Sequence, residues 1–178
     1  MMQNIEIKYR IADPERVAQR LTSIREIKVQ FRHYQKDIYF DAPEGRWKIR
    51  LEENSRPFLI RYYRPDEDKP RISDYTLTPL PDLKETYADL KTNYGVLAEV
   101  EKIRELYLYK NVRIHLDEVA LLGNFVEFES VISDSCDAAT AQRNLDEIMQ
   151  LLQPYLGTPE SGGYLNLLLA HPSTQKGT

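Results

Sequence analysis

Basic residues stand two apart on two segments of this chain, Lys48 with Arg50 and Lys102 with Arg104. Glu127 and Glu129 repeat the spacing with acids. On a β-strand, side chains at i and i+2 are near neighbours pointing the same way. Like charges so placed repel unless something of opposite sign lies between them. Carboxylate pairs suit a hard divalent cation, and clusters of Arg and Lys suit phosphate oxygens. Both kinds of pair in one small sheet would suit a metal–polyphosphate ligand. The plainer alternative is a one-sided antiparallel sheet with a solvated face. Few of these positions are Ser, Thr or Gln, which solvent faces use freely, and this weighs against it.

The segments carrying these residues read as strands. Ile5, Ile7, Tyr9 and Ile11 take one face of the first strand, with Glu6, Lys8 and Arg10 on the other. Asp13-Pro14 opens a helix, with Asp13 as N-cap and Pro14 in the first position. Further strands are expected over about 28–41 (with a possible break near Arg32-His33), 47–53, 58–64, 74–78, 97–109, 112–117 and 124–132. In the fourth strand Arg61 falls on the polar face and Arg64 on the opposite one. Arg113, His115 and Asp117 share a face of the seventh. Residues 65–71, charged and holding two prolines, read as a loop. Helices are expected over 80–94, ending at Gly95, over 137–156 and over 164–170. Strand follows strand through short connections, so the fold class is mainly antiparallel β with a few helices.

Composition narrows the function classes. With 178 residues the chain suits one domain, here 1–170, followed by a flexible tail from 171. Its net charge of −4 lacks the basic surplus of a nucleic-acid binder. A single cysteine, Cys136, excludes an internal disulfide and a cysteine-based zinc cluster. The N-terminus does not read as a signal peptide, and no apolar run approaches membrane-spanning length. A cytoplasmic protein that neither enters a membrane nor binds nucleic acid is the expectation, and a homodimer would be unexceptional.

Order and spacing of short motifs then point to a family. The chain holds Asn4-Ile5-Glu6-Ile7-Lys8, then Gln35-Lys36-Asp37-Ile38-Tyr39-Phe40, Lys48-Ile49-Arg50-Leu51 and Lys102-Ile103-Arg104. A longer run, from Arg113 through Asp117 and Gly123 to Glu127-Phe128-Glu129, precedes a closing Gly163-Tyr164-Leu165-Asn166-Leu167-Leu168. In this set the chain resembles the CYTH family, or triphosphate tunnel metalloenzymes, which takes in class IV adenylate cyclases and thiamine triphosphatases. Arg64-Pro65, Ser73-Asp74-Tyr75 and Leu90 to Gly95 lean toward the cyclase-like branch.

The resemblance implies a closed eight-stranded tunnel barrel whose charged faces point inward. It implies Mg2+ or Mn2+ held by Glu6, Glu127 and Glu129, and a triphosphate path lined by Lys8, Arg50, Arg61, Lys102, Arg104 and Arg113. It implies Glu6, Asp117 and Glu127 as the catalytic carboxylates. Two departures stand out. Asn4 occupies the position of the family's first Glu, and Asn166 that of a later acid. Three activities follow as expectations: conversion of ATP to cyclic AMP and pyrophosphate, hydrolysis of a triphosphate (inorganic triphosphate, thiamine triphosphate or a nucleotide), or binding without turnover. Arg104→Ala is expected to weaken triphosphate binding with little loss of fold.

Overall fold

A strand with one polar and one apolar face must hide one of them, and this chain hides both by curling its sheet shut. The computed structural model describes residues 2–172. The strands are β1 (Met2–Arg10), β2 (Lys28–Phe40), β3 (Arg46–Glu52), β4 (Phe58–Tyr63), β5 (Arg71–Pro79), β6 (Val96–Tyr109), β7 (Val112–Val119) and β8 (Gly123–Ile132). They form a closed barrel in the order β1-β5-β4-β3-β2-β6-β7-β8. Every neighbouring pair is antiparallel. Closure leaves no sheet edge exposed.

Apolar faces point outward and are covered by helices. Val17 and Leu21 of α1 (Pro14–Ser23) join Leu145, Ile148 and Leu152 of α3 (Ala138–Leu152) over Ile5, Ile7, Ile114, Val126 and Phe128. Each of these strand side chains is almost solvent-free. Burying a side chain of this kind contributes about 1.5–3 kcal/mol. Helix α2 (Leu83–Tyr94) places Leu90 against Ile38, Phe40 and Ile49. Short helix α4 (Tyr164–Leu169) instead plugs one end of the barrel, setting Tyr164, Leu165 and Leu168 against Tyr39, Val100, Val119 and Phe125 on the inward faces.

Local signals in the sequence act as expected at most boundaries. Asp13 caps α1 by accepting from the Arg16 N–H at 3.0 Å, with Pro14 at the start. Asp137 caps α3 through the Thr140 N–H at 2.8 Å. Gly95 ends α2 at φ 70°, a left-handed conformation that costs glycine nothing.

Several expectations need correction. Strand β2 runs unbroken through Arg32-His33, its irregularities lying at Val29/Phe31 and Tyr39/Phe40 instead. Helix α2 begins at Leu83, because Asp82 accepts from the Glu85 N–H and caps it there. Helix α3 gives way at residue 153 to a 3-10 turn, where Pro154 cannot continue the hydrogen-bond ladder. Arg71, read as loop, pairs with Glu6 as the first residue of β5. The tail expected from 171 lies, from residue 173 onward, outside the described residues. No helix among the described residues is long and apolar enough to cross a membrane.

Candidate functional site

Inward-facing positions of all eight strands line one cavity of about 400 Å³. That is the size class of small-molecule sites. Seven basic side chains line it (Lys8, Lys48, Arg50, Arg64, Lys102, Arg104, Arg113) against four acidic ones (Glu6, Glu52, Glu127, Glu129). A chain of net charge −4 therefore concentrates a basic surplus inside its barrel. Low-dielectric walls strengthen such a field.

The lumen has an open and a closed end. Antiparallel pairing runs β1, β2, β4 and β7 one way and the other four strands back. Phe31 and Arg113 stand near the starts of β2 and β7, Ile60 near that of β4, and Leu77 and Leu106 near the ends of β5 and β6. All five therefore sit at one end. Leu77 is 42% exposed there, and the Arg113 side chain 42%. At the other end α4 brings Tyr164 across the barrel. Its hydroxyl donates to Asp117 Oδ2 at 2.7 Å, and Lys8 Nζ lies 3.8 Å from its ring centre.

A buried carboxylate organises the basic wall. Asp37, fully buried, accepts from Lys48 Nζ at 2.8 Å, from Arg50 Nε and Nη2 at 2.7 and 2.8 Å, and from Lys102 Nζ at 3.0 Å. Burial pushes its carboxyl up, but Arg50, Lys102 and Lys48 outweigh this and hold it well below the usual range. One carboxylate cannot neutralise three cations. Burial, then Arg50, pull Lys48 down to about 7. Burial and Arg50 also bring Lys102 to about 8, against the pull of Asp37.

The opposite wall has the reverse problem. Glu6 and Glu129 face each other directly across β1 and β8, with Glu127 two pairs further along, opposite Lys8. Burial, then the Glu127 charge, raise the Glu6 carboxyl to about 7. Arg64 Nη1 at 3.1 Å from Glu6 Oε1 only partly offsets them. The two oxygens of Glu127 are met by Lys8 at 3.0 Å and Arg104 at 2.9 Å. Glu127 is consequently held well below its usual range, burial notwithstanding, with Lys8 the chief cause. Glu129 has no close cation, since Arg113 Nη1 stands 3.9 Å away.

These residues fit a divalent metal. Donor atoms of His115, Glu127 and Glu129 all lie within 4.8 Å of one another. The Asn4 amide oxygen is buried in the same cavity with no hydrogen-bond partner. An orphaned acceptor beside crowded carboxylates is arranged for a cation rather than for another side chain.

Proton linkage gives a test of both walls. An anion beside Lys48 and Lys102 raises their proton affinity, whereas a cation beside Glu6 lowers it. At pH 7.5, tripolyphosphate binding without metal should take up protons, and Mn2+ binding alone should release them. Calorimetry in buffers of different ionisation enthalpy reads both signs. Tripolyphosphate affinity should fall as pH rises through 7–8, where the two lysines lose their charge. A flat profile would mean that they do not meet the phosphates.

Most expected site residues converge on this lumen: Glu6, Lys8, Arg50, Lys102, Arg104, Arg113, Glu127 and Glu129. Arg61 does not. It is exposed on the outer face, its guanidinium 5.3 Å from the Trp47 ring centre. Ile60, Tyr62 and Arg64 take the inward positions of that strand run, so Arg64 lies in the lumen. Pattern cannot orient this strand, because Tyr62 is amphipathic and can take either face. Arg10 likewise leaves the lumen, pairing with Glu160 at 3.0 Å. Asp117, expected to be catalytic, is 1% exposed and absent from the cavity wall. Arg104 bridges both of its oxygens at 2.7 and 2.6 Å, which leaves it to hold Arg104 rather than to accept a substrate proton.

Asp37, Arg71 and Tyr164 escaped the strand-by-strand reading. Asp37 alternates with Gln35 and Tyr39, and a lone acid in such a run carries no pairing signal. The corrected face predicts that Arg61→Ala leaves tripolyphosphate affinity within about twofold, while Arg64→Ala weakens it about tenfold. Titration calorimetry on the two variants checks this, and the reverse ranking would contradict the assignment.

The CYTH domain profile matches residues 2–162. The chain belongs to the CYTH family. Among the proteins it is similar to is a Methanocaldococcus jannaschii protein named "putative adenylate cyclase", 26% identical over 159 residues, which span 85% of this chain and 89% of that one. A conserved hypothetical protein of Pyrococcus furiosus shares the fold with a TM-score of 0.77 at 24% identity, over 92% of this chain and 99% of its own. A Vibrio parahaemolyticus structure, also titled "putative adenylate cyclase", gives 0.72 at 21% identity, over 96% and 99%. The CYTH barrel is thus the frame that points these charged faces inward.

Proposed function

We propose that this CYTH protein is a metal-dependent enzyme that converts ATP to cyclic AMP and pyrophosphate. One observation carries the reading. Cations in excess of their buried counter-ion and carboxylates in excess of theirs face one lumen, which opens through a rim of four apolar side chains and Arg113. The excess cations suit a polyphosphate, the excess carboxylates suit the divalent ion that accompanies it, and the rim of Phe31, Ile60, Leu77 and Leu106 suits a nucleobase. Inorganic triphosphate would leave that rim without a partner. The names carried by the archaeal and bacterial relatives support the same activity.

In this reading Lys48, Arg50, Lys102 and Arg104 bind the phosphate chain, with Arg64 and Arg113 completing the cradle. Asp37 and Asp117 act behind them as positioning residues. Glu6, Glu127 and Glu129 would hold Mg2+ or Mn2+, which supplies charge neutralisation at the phosphate oxygens. Cyclisation needs the ribose 3′-hydroxyl to lose a proton as its oxygen attacks the α-phosphorus and pyrophosphate departs. Glu6, left anionic once a metal ion lies beside it, would accept that proton. Glu127, held anionic chiefly by Lys8 even without metal, is suited to ligation alone. Donors fixed on the barrel wall contribute by preorganisation, without a covalent intermediate.

A second reading rests on Asn4. An amide in place of a carboxylate brings an oxygen ligand but no charge, and a weakened metal site could leave a binder without turnover. Product analysis separates the readings. With ATP and Mn2+, cyclic AMP and pyrophosphate support the cyclase, orthophosphate assigns a triphosphatase, and heat stabilisation by ATP without product assigns a binder.

A further inference from the structure

We propose that His115 is a nitrogen ligand of the divalent ion and that it turns this site from Mg2+ toward Co2+ and Zn2+, with Mn2+ between them. The proposal rests on the metal role given to the carboxylates above, and goes beyond it in assigning a fourth residue and an ion preference.

His115 is 5% exposed and points into the lumen from β7. Its Nδ1 is buried and has no hydrogen-bond partner. It stands 3.6 Å from Glu127 Oε2 and 3.8 Å from Glu129 Oε1. Both separations are too long for a hydrogen bond. Both suit two atoms on a common ion, because donors bound at about 2.1 Å stand roughly 3.0–4.2 Å apart around tetrahedral or octahedral centres. Lys8 and Arg104 already meet the two oxygens of Glu127 at 3.0 and 2.9 Å, and they leave further lone pairs on it.

The composition of the donor set fixes the preference. Mg2+ requires near-ideal octahedral oxygen coordination and gives up water reluctantly. Its affinity depends chiefly on carboxylate charge. At Asn4 the cavity offers a neutral amide oxygen, 3% exposed and unpartnered, where a carboxylate would have strengthened Mg2+. At His115 it offers nitrogen, a donor that strengthens binding from Mn2+ through Co2+ to a maximum at Cu2+, with Zn2+ also favoured and little gain for Mg2+. The two residues shift the balance in the same direction.

The test uses the full chain, freed of metal and titrated with Mg2+, Mn2+ and Co2+ in separate calorimetric runs. Wild type should bind Co2+ at least about tenfold tighter than Mg2+. His115→Gln should lose about tenfold in Co2+ affinity and change Mg2+ affinity by less than about twofold. Pulsed electron paramagnetic resonance of the Mn2+-loaded protein should show the nitrogen coupling of a directly bound imidazole, absent in the variant. This spectrum can be recorded on wild type alone if the variant does not fold. Mn2+ binding without nitrogen coupling, or equal losses for Co2+ and Mg2+, would overturn the role of His115 and leave the proposed function standing. No binding of any of the three ions by wild type would overturn both.

Discussion

Replacing Asp37 by Asn is expected to lower the melting temperature of the ligand-free protein by roughly 10 °C. Removing one partner of a buried ion pair costs about 3–5 kcal/mol, and each kcal/mol shifts a domain of this size by about 2–4 °C. The loss should be at the large end, because this one carboxylate faces three cations at 3.0 Å or less. The amide keeps the shape and one acceptor but no charge. Tripolyphosphate supplies the missing negative charge, so it should raise the melting temperature of the variant by more degrees than that of the wild type. Thermal unfolding with and without tripolyphosphate measures both. Equal stabilisation of the two proteins would mean that the phosphates do not reach the Lys48–Arg50–Lys102 cluster.

Glu129→Gln should behave in the opposite way, with activity lost and fold retained. Glu129 faces Glu6 directly across the sheet, and its nearest cation is 3.9 Å away. Its charge adds to the repulsion that raises Glu6. Removing that charge should leave the ligand-free melting temperature unchanged or slightly higher. Metal-dependent turnover should fall by at least about a hundredfold, since a divalent ion contributes several kcal/mol of transition-state stabilisation. A variant that turned over normally would place the metal elsewhere. Arg104→Ala, by contrast, cannot be the clean binding variant that its position in the sequence suggests. It would strip Asp117 of its bidentate partner and Glu127 of one of two, leaving buried charge uncompensated.

These contrasts show what was legible in the sequence. Alternation in β1, β3, β6, β7 and β8 identified most of the inward side chains, Arg10 and Asp117 excepted, because the charged pairs in those strands alternate with apolar residues. In β4 the reading inverted, since the alternating residues are Arg61, Tyr62, Tyr63 and Arg64, and a tyrosine can face either environment. The direction of the faces came from the family resemblance, because an open sheet with a solvated face has the same alternation as a closed barrel. Cross-barrel relations were beyond the sequence altogether. Asp37 meets Lys102 across 65 positions, and Tyr164 meets Asp117 across 47. Nothing local in residues 35–40 tells that three cations converge there. The same holds for His115, whose place among the carboxylates depends on the register of β7 with β8.

The central claim is that one lumen holds the triphosphate and its metal together. Its most direct test is a crystal of this protein soaked with Mn2+ and a non-hydrolysable ATP analogue, with anomalous scattering recorded at the manganese edge. The account predicts an anomalous peak within bonding distance of Glu129 and Glu127, phosphates against Lys48, Arg50, Lys102 and Arg104, and the base at the rim of Phe31 and Leu77. Manganese bound outside the barrel, or an analogue that leaves the lumen to water, would contradict it.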